Sequence, residues 1–128
     1  MSRVLIIEDD QALTAIMTKL LRRQGLEVTV VTDAGLALER AAEVRPALIL
    51  LDLALAGYDG QRIFGQLRQA PATKAIPVIL MSGDYAVERR AAELGADGHL
   101  WKPFSAERLL EAVRRAGAAG PASGAGPA

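Results

Sequence analysis

The sequence predicts an α/β domain built on a doubly wound parallel sheet with helices on both faces. Two observations carry that expectation. Short continuous apolar runs such as Val4-Leu5-Ile6-Ile7 alternate along the chain with longer segments whose apolar residues repeat at helical spacing. Each run is too apolar to have a solvated face, and strands covered on both faces by crossover helices belong to parallel sheets.

The elements follow in order. Val4-Leu5-Ile6-Ile7 is a strand ended by Glu8-Asp9-Asp10. Leu13, Ile16, Met17, Leu20 and Leu21 form one helical stripe, closed by Gly25. Val28, Val30 and Val31 make a β-branched second strand, followed by an Ala- and Leu-rich helix over 34–44 that stops before Pro46. Ala47-Leu48-Ile49-Leu50-Leu51 is the third strand and ends in Asp52; Gly57, Asp59 and Gly60 mark a loop before a helix carrying Ile63, Phe64 and Leu67. Pro77 opens the fourth strand, Val78-Ile79-Leu80-Met81, and a helix from about Tyr85 to Leu94 is closed by Gly95. His99-Leu100-Trp101 is a short fifth strand, after which Ser105 caps a helix whose stripe is Leu109, Leu110 and Val113. Residues 117–128 contain only Gly, Ala, Pro and Ser and read as a flexible tail or linker behind a single domain over 1–116.

Composition narrows the chemistry. Lys and Arg number 15 against 15 Asp and Glu, so no net field concentrates a polyanion, and direct nucleic-acid binding is not expected. Cysteine is absent and His99 is the only histidine, which excludes disulfides, thiolate catalysis and Cys- or His-ligated zinc. No apolar run reaches the roughly 18 residues that span a bilayer, and the start is not a signal peptide. The expectation is a cytoplasmic chain with no membrane partner.

In open parallel sheets ligands bind beyond the carboxyl ends of the strands. Glu8, Asp9 and Asp10 follow the first strand, Asp33 the second, Asp52 the third, Ser82 the fourth and Lys102 the fifth. Singly, such residues are more often helix caps or solvated side chains; Asp10 and Asp33 each precede a helix and read as caps. The combination is harder to dismiss. Several carboxylates in one crevice repel one another and call for a hard cation such as Mg²⁺, or Mn²⁺, while Lys102 adds a mobile positive charge.

These residues lie in four ordered motifs: VLIIEDD from Val4, LILLDLALAGYDG from Leu48, PVILMSG from Pro77 and GADGHLWKPF from Gly95. Over roughly Arg3 to Ala116 the chain resembles the receiver domain of two-component response regulators. The resemblance implies a flavodoxin-like (βα)5 fold with strand order 2-1-3-4-5. It also implies a phosphoacceptor, Asp52, that takes a phosphoryl group from the phosphohistidine of a histidine kinase or phosphotransfer protein. By that pattern Asp9 binds Mg²⁺ directly and Glu8 through water, with the Asp52 carboxylate and the Ala54 backbone carbonyl completing the protein ligands. Lys102 pairs with Asp52 and then with the phosphoryl oxygens; Ser82 hydrogen-bonds the phosphate and switches with the side chain at 99. The family usually has tyrosine or phenylalanine there, and this chain has His99; Ala56 stands where proline is frequent. Ala54 and Asp84 occupy the positions that tune phosphate lifetime, Asp84 having a cap as its plainer role. The domain would catalyse only its own phosphorylation and dephosphorylation, and would signal to an effector domain or protein. Its output surface would be the fourth helix, fifth strand and fifth helix, which would also be the face for a homodimer.

Three other readings compete. A degenerate receiver that binds proteins without phosphorylation is the first, although all five expected chemical positions hold competent residues. An aspartyl-phosphate phosphatase would need DxDx(T/V) after the first strand, where Glu8-Asp9-Asp10-Gln11 stands. A flavin module would need Ser, Thr and Gly donors in that loop, and the acids there repel a phosphate.

Overall fold

The computed structural model describes residues 2–118. It contains β1 (Arg3–Ile7), α1 (Gln11–Arg23), β2 (Glu27–Val31), α2 (Ala37–Val44), β3 (Leu48–Asp52), α3 (Gly60–Gln69), β4 (Val78–Ser82), α4 (Val87–Leu94), β5 (Gly98–Trp101) and α5 (Ala106–Ala118). All strand pairs are parallel, and the sheet runs in the order β2-β1-β3-β4-β5. The predicted fold class and strand order are therefore those observed.

The strands that read as continuous apolar runs are covered on both faces, and successive side chains go to opposite layers. Leu5, Ile7, Ile49, Leu51, Val78 and Leu80 pack under α2, α3 and α4 through Ala37, Ala41, Ile63, Phe64, Leu67, Val87 and Ala91. Val4, Ile6, Leu48, Leu50, Ile79 and Met81 pack on the other side against Met17 and Leu21 of α1 and Leu109, Val113 and Ala116 of α5. β1, β3 and β4 are central, and their buried runs leave the chemistry to the loops at their carboxyl ends.

Several boundaries differ from the sequence expectation. Thr14, Met17 and Leu21 form the buried line of α1, while Ile16 is 59% exposed. A threonine can take this place because its hydroxyl donates to the Gln11 carbonyl at 3.1 Å. The second helix is split: a 3-10 turn at Ala34–Leu36, capped by Asp33, precedes α2. α4 begins at Val87, leaving Tyr85 exposed in the loop. α5 runs to Ala118, two residues into the segment read as a tail, and the rest of that segment, 119–128, lies outside the described residues.

Gly25 ends α1 as expected. Its φ of +84° is one that L side chains rarely adopt, and Leu26 N donates to Leu21 O across the turn at 3.3 Å. Gly60 is required for a different reason. A Cβ there would lie 2.5 Å from the Asp52 carbonyl oxygen and 2.5 Å from Leu53 Cα, so the first residue of α3 touches the backbone that carries Asp52.

Two glycines of the same helix therefore have opposite expected responses. Gly60→Ala must displace backbone and should cost about 1–3 kcal/mol. Gly65→Ala meets nothing within 4 Å and should stabilise by up to about 1 kcal/mol through helix propensity. Urea unfolding of the two variants beside the parent checks both signs.

Candidate functional site

The ends of β1, β3 and β5 meet in a single crevice, with the end of β4 next to that of β3. Glu8 and Asp9 leave β1, Asp52 ends β3, Ser82 ends β4 and Lys102 follows β5. One carboxylate oxygen from each of Glu8, Asp9 and Asp52 lies within 4.8 Å of the others. Glu8 and Asp52 are buried, 1% and 2% exposed, and Asp9 is half-buried beside them. Asp10 and Asp33 stay out of the cluster as caps: Asp10 accepts from Leu13 N at 3.1 Å and Asp33 from Gly35 N at 2.9 Å.

The carboxylates are oriented by fixed donors. Glu8 uses both oxygens, Oε1 accepting from Lys102 Nζ at 2.6 Å and Oε2 from the Asp10 amide at 3.1 Å. Asp9 Oδ2 accepts from the Ala56 amide at 2.9 Å. Asp52 Oδ1 accepts from the Ala54 amide at 3.0 Å and faces Lys102 Nζ at 3.3 Å. The short partner of Lys102 is therefore Glu8, with Asp52 second, whereas the resemblance paired Lys102 with Asp52 alone. Glu8, with both oxygens engaged, suits contact with a cation through water, and Asp9 keeps one oxygen free of these bonds.

Protonation follows from this geometry. Burial pushes the Glu8 carboxyl above its ordinary value; the Lys102 hydrogen bond opposes the rise, and the neighbouring Asp52 adds to it. Burial alone would lower Lys102, but its hydrogen bond to Glu8 and the negative charge of Asp52 and Glu8 outweigh that and hold it above its ordinary value. A hard cation fits what remains: three clustered carboxylates carry more negative charge than one ammonium offsets, and oxygen donors are those Mg²⁺ and Mn²⁺ select.

Ser82 is buried at the end of β4, the strand next to β3, and its Oγ accepts from the Asp84 amide at 3.0 Å. Asp84 Oδ1 in turn accepts from the Ala86 amide at 2.9 Å, which closes the turn ahead of α4; the cap position of that helix is Ala86, without a side-chain cap bond, so Asp84 is not the helix cap of its plainer reading. His99 is not brought to the crevice; it lies exposed on the edge strand β5. Two contacts were not anticipated. The Ala56 amide holds Asp9 across 47 positions of sequence, and backbone donors leave no signature in residue type. Trp101 Nε1 donates to Gly83 O at 3.2 Å, for which an exposed tryptophan at a strand end was the only hint.

Residues 4–114 match the response regulator receiver domain. The chain belongs to that family. This receiver domain is 39% identical over 116 residues to the sensory transduction protein RegX3 of Mycobacterium tuberculosis, a match covering 89% of this chain and 50% of that protein. The chain thus spans about half the length of the curated relatives it matches. Among solved structures, it is similar to the receiver domain of sensor histidine kinase PA1611 from Pseudomonas aeruginosa, which has a magnesium ion in its active-site cleft (TM-score 0.82, 26% identity, 92% of this chain and 98% of that one). It is also similar to chemotaxis protein CheY4 of Vibrio cholerae (TM-score 0.82, 26% identity, 91% and 98%). Among the described residues of the receiver domain no helix is long and apolar enough to cross a membrane.

The Glu8–Lys102 pair generates a pH-dependent prediction. A carboxyl raised by folding contributes stability in acid that is lost as pH climbs from 4.5 through its folded value, whereas the Lys102 contribution is complete below 10.5 and lost only above it. Of the two, Glu8 is therefore the group that takes up a proton toward acid. Lys102→Met should cost about 3 kcal/mol at pH near 8, the low end for breaking a buried pair because the ammonium is partly exposed. Lowering the pH toward 4.5, the ordinary carboxyl value, should recover part of that loss as Glu8 takes up a proton. Urea unfolding at both pH values in metal-free buffer checks the sign.

Proposed function

We propose that this receiver domain is a phosphoacceptor and that Asp52 receives the phosphoryl group from the phosphohistidine of a histidine kinase or phosphotransfer protein. One observation carries the reading: a buried Asp52 faces Lys102 Nζ at 3.3 Å while Glu8 and Asp9 complete an oxygen-donor cluster around it. An Asp52 carboxylate oxygen forms the new bond to phosphorus, the nitrogen–phosphorus bond of the donor breaks, and the imidazole leaves with its electron pair. Phosphoryl transfer asks mainly for positioning and charge neutralisation.

Each side chain has a part in that. The Ala54 amide fixes the rotation of Asp52 through Oδ1, which orients the other oxygen for attack. Lys102 moves from Glu8 and Asp52 to the incoming phosphoryl oxygens. Asp9, the Asp52 carboxylate, the Ala54 carbonyl and, through water, Glu8 would hold Mg²⁺ or Mn²⁺, which when bound neutralises charge on the transferring group. Ser82 hydrogen-bonds the phosphoryl group, and Ala54 and Asp84 set its lifetime. His99 occupies the switch position on the outer face of β5.

The domain would turn over only its own acyl phosphate, and the added charge would bias β4, β5 and their loops toward a second arrangement. Effectors, or a second copy of the chain, would read that change on α4, β5 and α5. Protein partners in the cytoplasm, and not nucleic acid or membrane, are the expected contacts of this domain.

Incubation with acetyl phosphate followed by intact-mass analysis tests the reading. A single base-labile phosphoryl adduct should form with Mg²⁺, disappear in Asp52→Asn, and fall at least about tenfold in rate in Asp9→Asn through lost charge neutralisation. In Asp84→Ala the same assay should show slower decay of the adduct.

A further inference from the structure

The loop that carries Ser82 is fastened from outside the crevice as well as from within. Parallel pairing of β4 and β5 runs to the Ser82–Trp101 pair, and the last backbone rung is Lys102 N to Ser82 O at 2.8 Å. One residue further along, the rung is made by a side chain: Trp101 Nε1 donates to Gly83 O at 3.2 Å. Ser82 Oγ is meanwhile engaged by the Asp84 amide. Trp101 is 57% exposed, and this hydrogen bond ties its ring to the loop. His99 points to the same side of β5, since side chains alternate across the buried Leu100, yet it makes no side-chain hydrogen bond among the described residues.

We infer that Trp101 is a positioning residue for Ser82: its indole N–H latches the 82–84 segment in the resting arrangement, and Ser82 can close on a phosphoryl group at Asp52 only as that latch yields. The inference rests on the phosphoacceptor reading above. It moves the reporter of the loop state from the ring at 99 to the indole at 101. Gly83 suits the role, because its carbonyl is the acceptor and a Cβ there would meet nothing within 4 Å, leaving the segment room to shift.

Trp101→Phe keeps an aromatic ring on the strand and removes only the donor. An exposed hydrogen bond of this kind biases an equilibrium by about threefold to tenfold. Acetyl phosphate with Mg²⁺ should therefore give the Asp52 adduct about threefold or more faster in Trp101→Phe than in the parent, with the melting temperature nearly unchanged. Trp101 is the sole tryptophan, so its emission reads the latch directly. Emission of the parent should change when beryllofluoride and Mg²⁺ are added, and stay constant in Asp52→Asn. An adduct that forms at the parental rate in Trp101→Phe, or a parental emission indifferent to beryllofluoride, overturns the latch while leaving Asp52 as acceptor. A slower reaction with a lowered melting temperature also overturns it, in favour of a structural role. Absence of any adduct on either protein overturns the phosphoacceptor reading and the latch together.

Discussion

Three carboxylates at the edge of an apolar sheet cannot all remain charged without compensation, and the Lys102 ammonium is the protein's own answer to that constraint. It reaches Glu8 at 2.6 Å and Asp52 at 3.3 Å from the opposite side of the sheet's central strands. The pairing joins residues 94 positions apart, so the crevice exists only once β1, β3 and β5 are assembled in one sheet. Burial, with the neighbouring Asp52 adding to it, raises Glu8, and the excess of carboxylates over the one ammonium makes the crevice suited to a cation.

The sheet supplies rigidity where the chemistry needs it. Leu48, Ile49, Leu50 and Leu51 are buried between two layers of helices, and Asp52 is the next residue along that fixed strand. The loop after it is shaped by contacts of its own: Gly60 brings α3 against the Asp52 and Leu53 backbone, and Asp9 holds the Ala56 amide at 2.9 Å. That last bond stabilises the loop where proline is often found in the family. β4 is equally buried, but the 82–84 segment beyond it is held by hydrogen bonds at its surface, from the Asp84 amide and the Trp101 indole. Stiff strands ending in lightly tethered loops are what a local charge change can move without disturbing the core.

Much of this architecture was legible in residue order. Short uninterrupted runs such as Val78-Ile79-Leu80-Met81, bounded by Pro77 and Ser82-Gly83, fit strands covered on both faces, and glycines such as Gly25 mark helix ends because few other residues accept a positive φ. Helix faces were less legible: Ile16 shares the spacing of Met17 and Leu21 yet lies outside, because periodicity locates a stripe while the width of the buried face depends on what packs there. The start of α4 was placed early at Tyr85 because a turn held by the Asp84 side chain and the Ala86 amide comes ahead of the first helical residue.

For the site, the sequence by itself determined which charged and hydroxyl groups stand at the strand ends, since a strand's length and its closing residue are local facts. Glu8, Asp9, Asp52, Ser82 and Lys102 were all visible in that way. Only the tertiary structure decided how they pair: that Lys102 bonds Glu8 more closely than Asp52, that a backbone amide at Ala56 orients Asp9, and that Trp101 reaches Gly83 while His99 stays apart. Those choices depend on differences of about an ångström between groups brought together by non-neighbouring strands, and hydrogen bonds discriminate on that scale where sequence spacing does not.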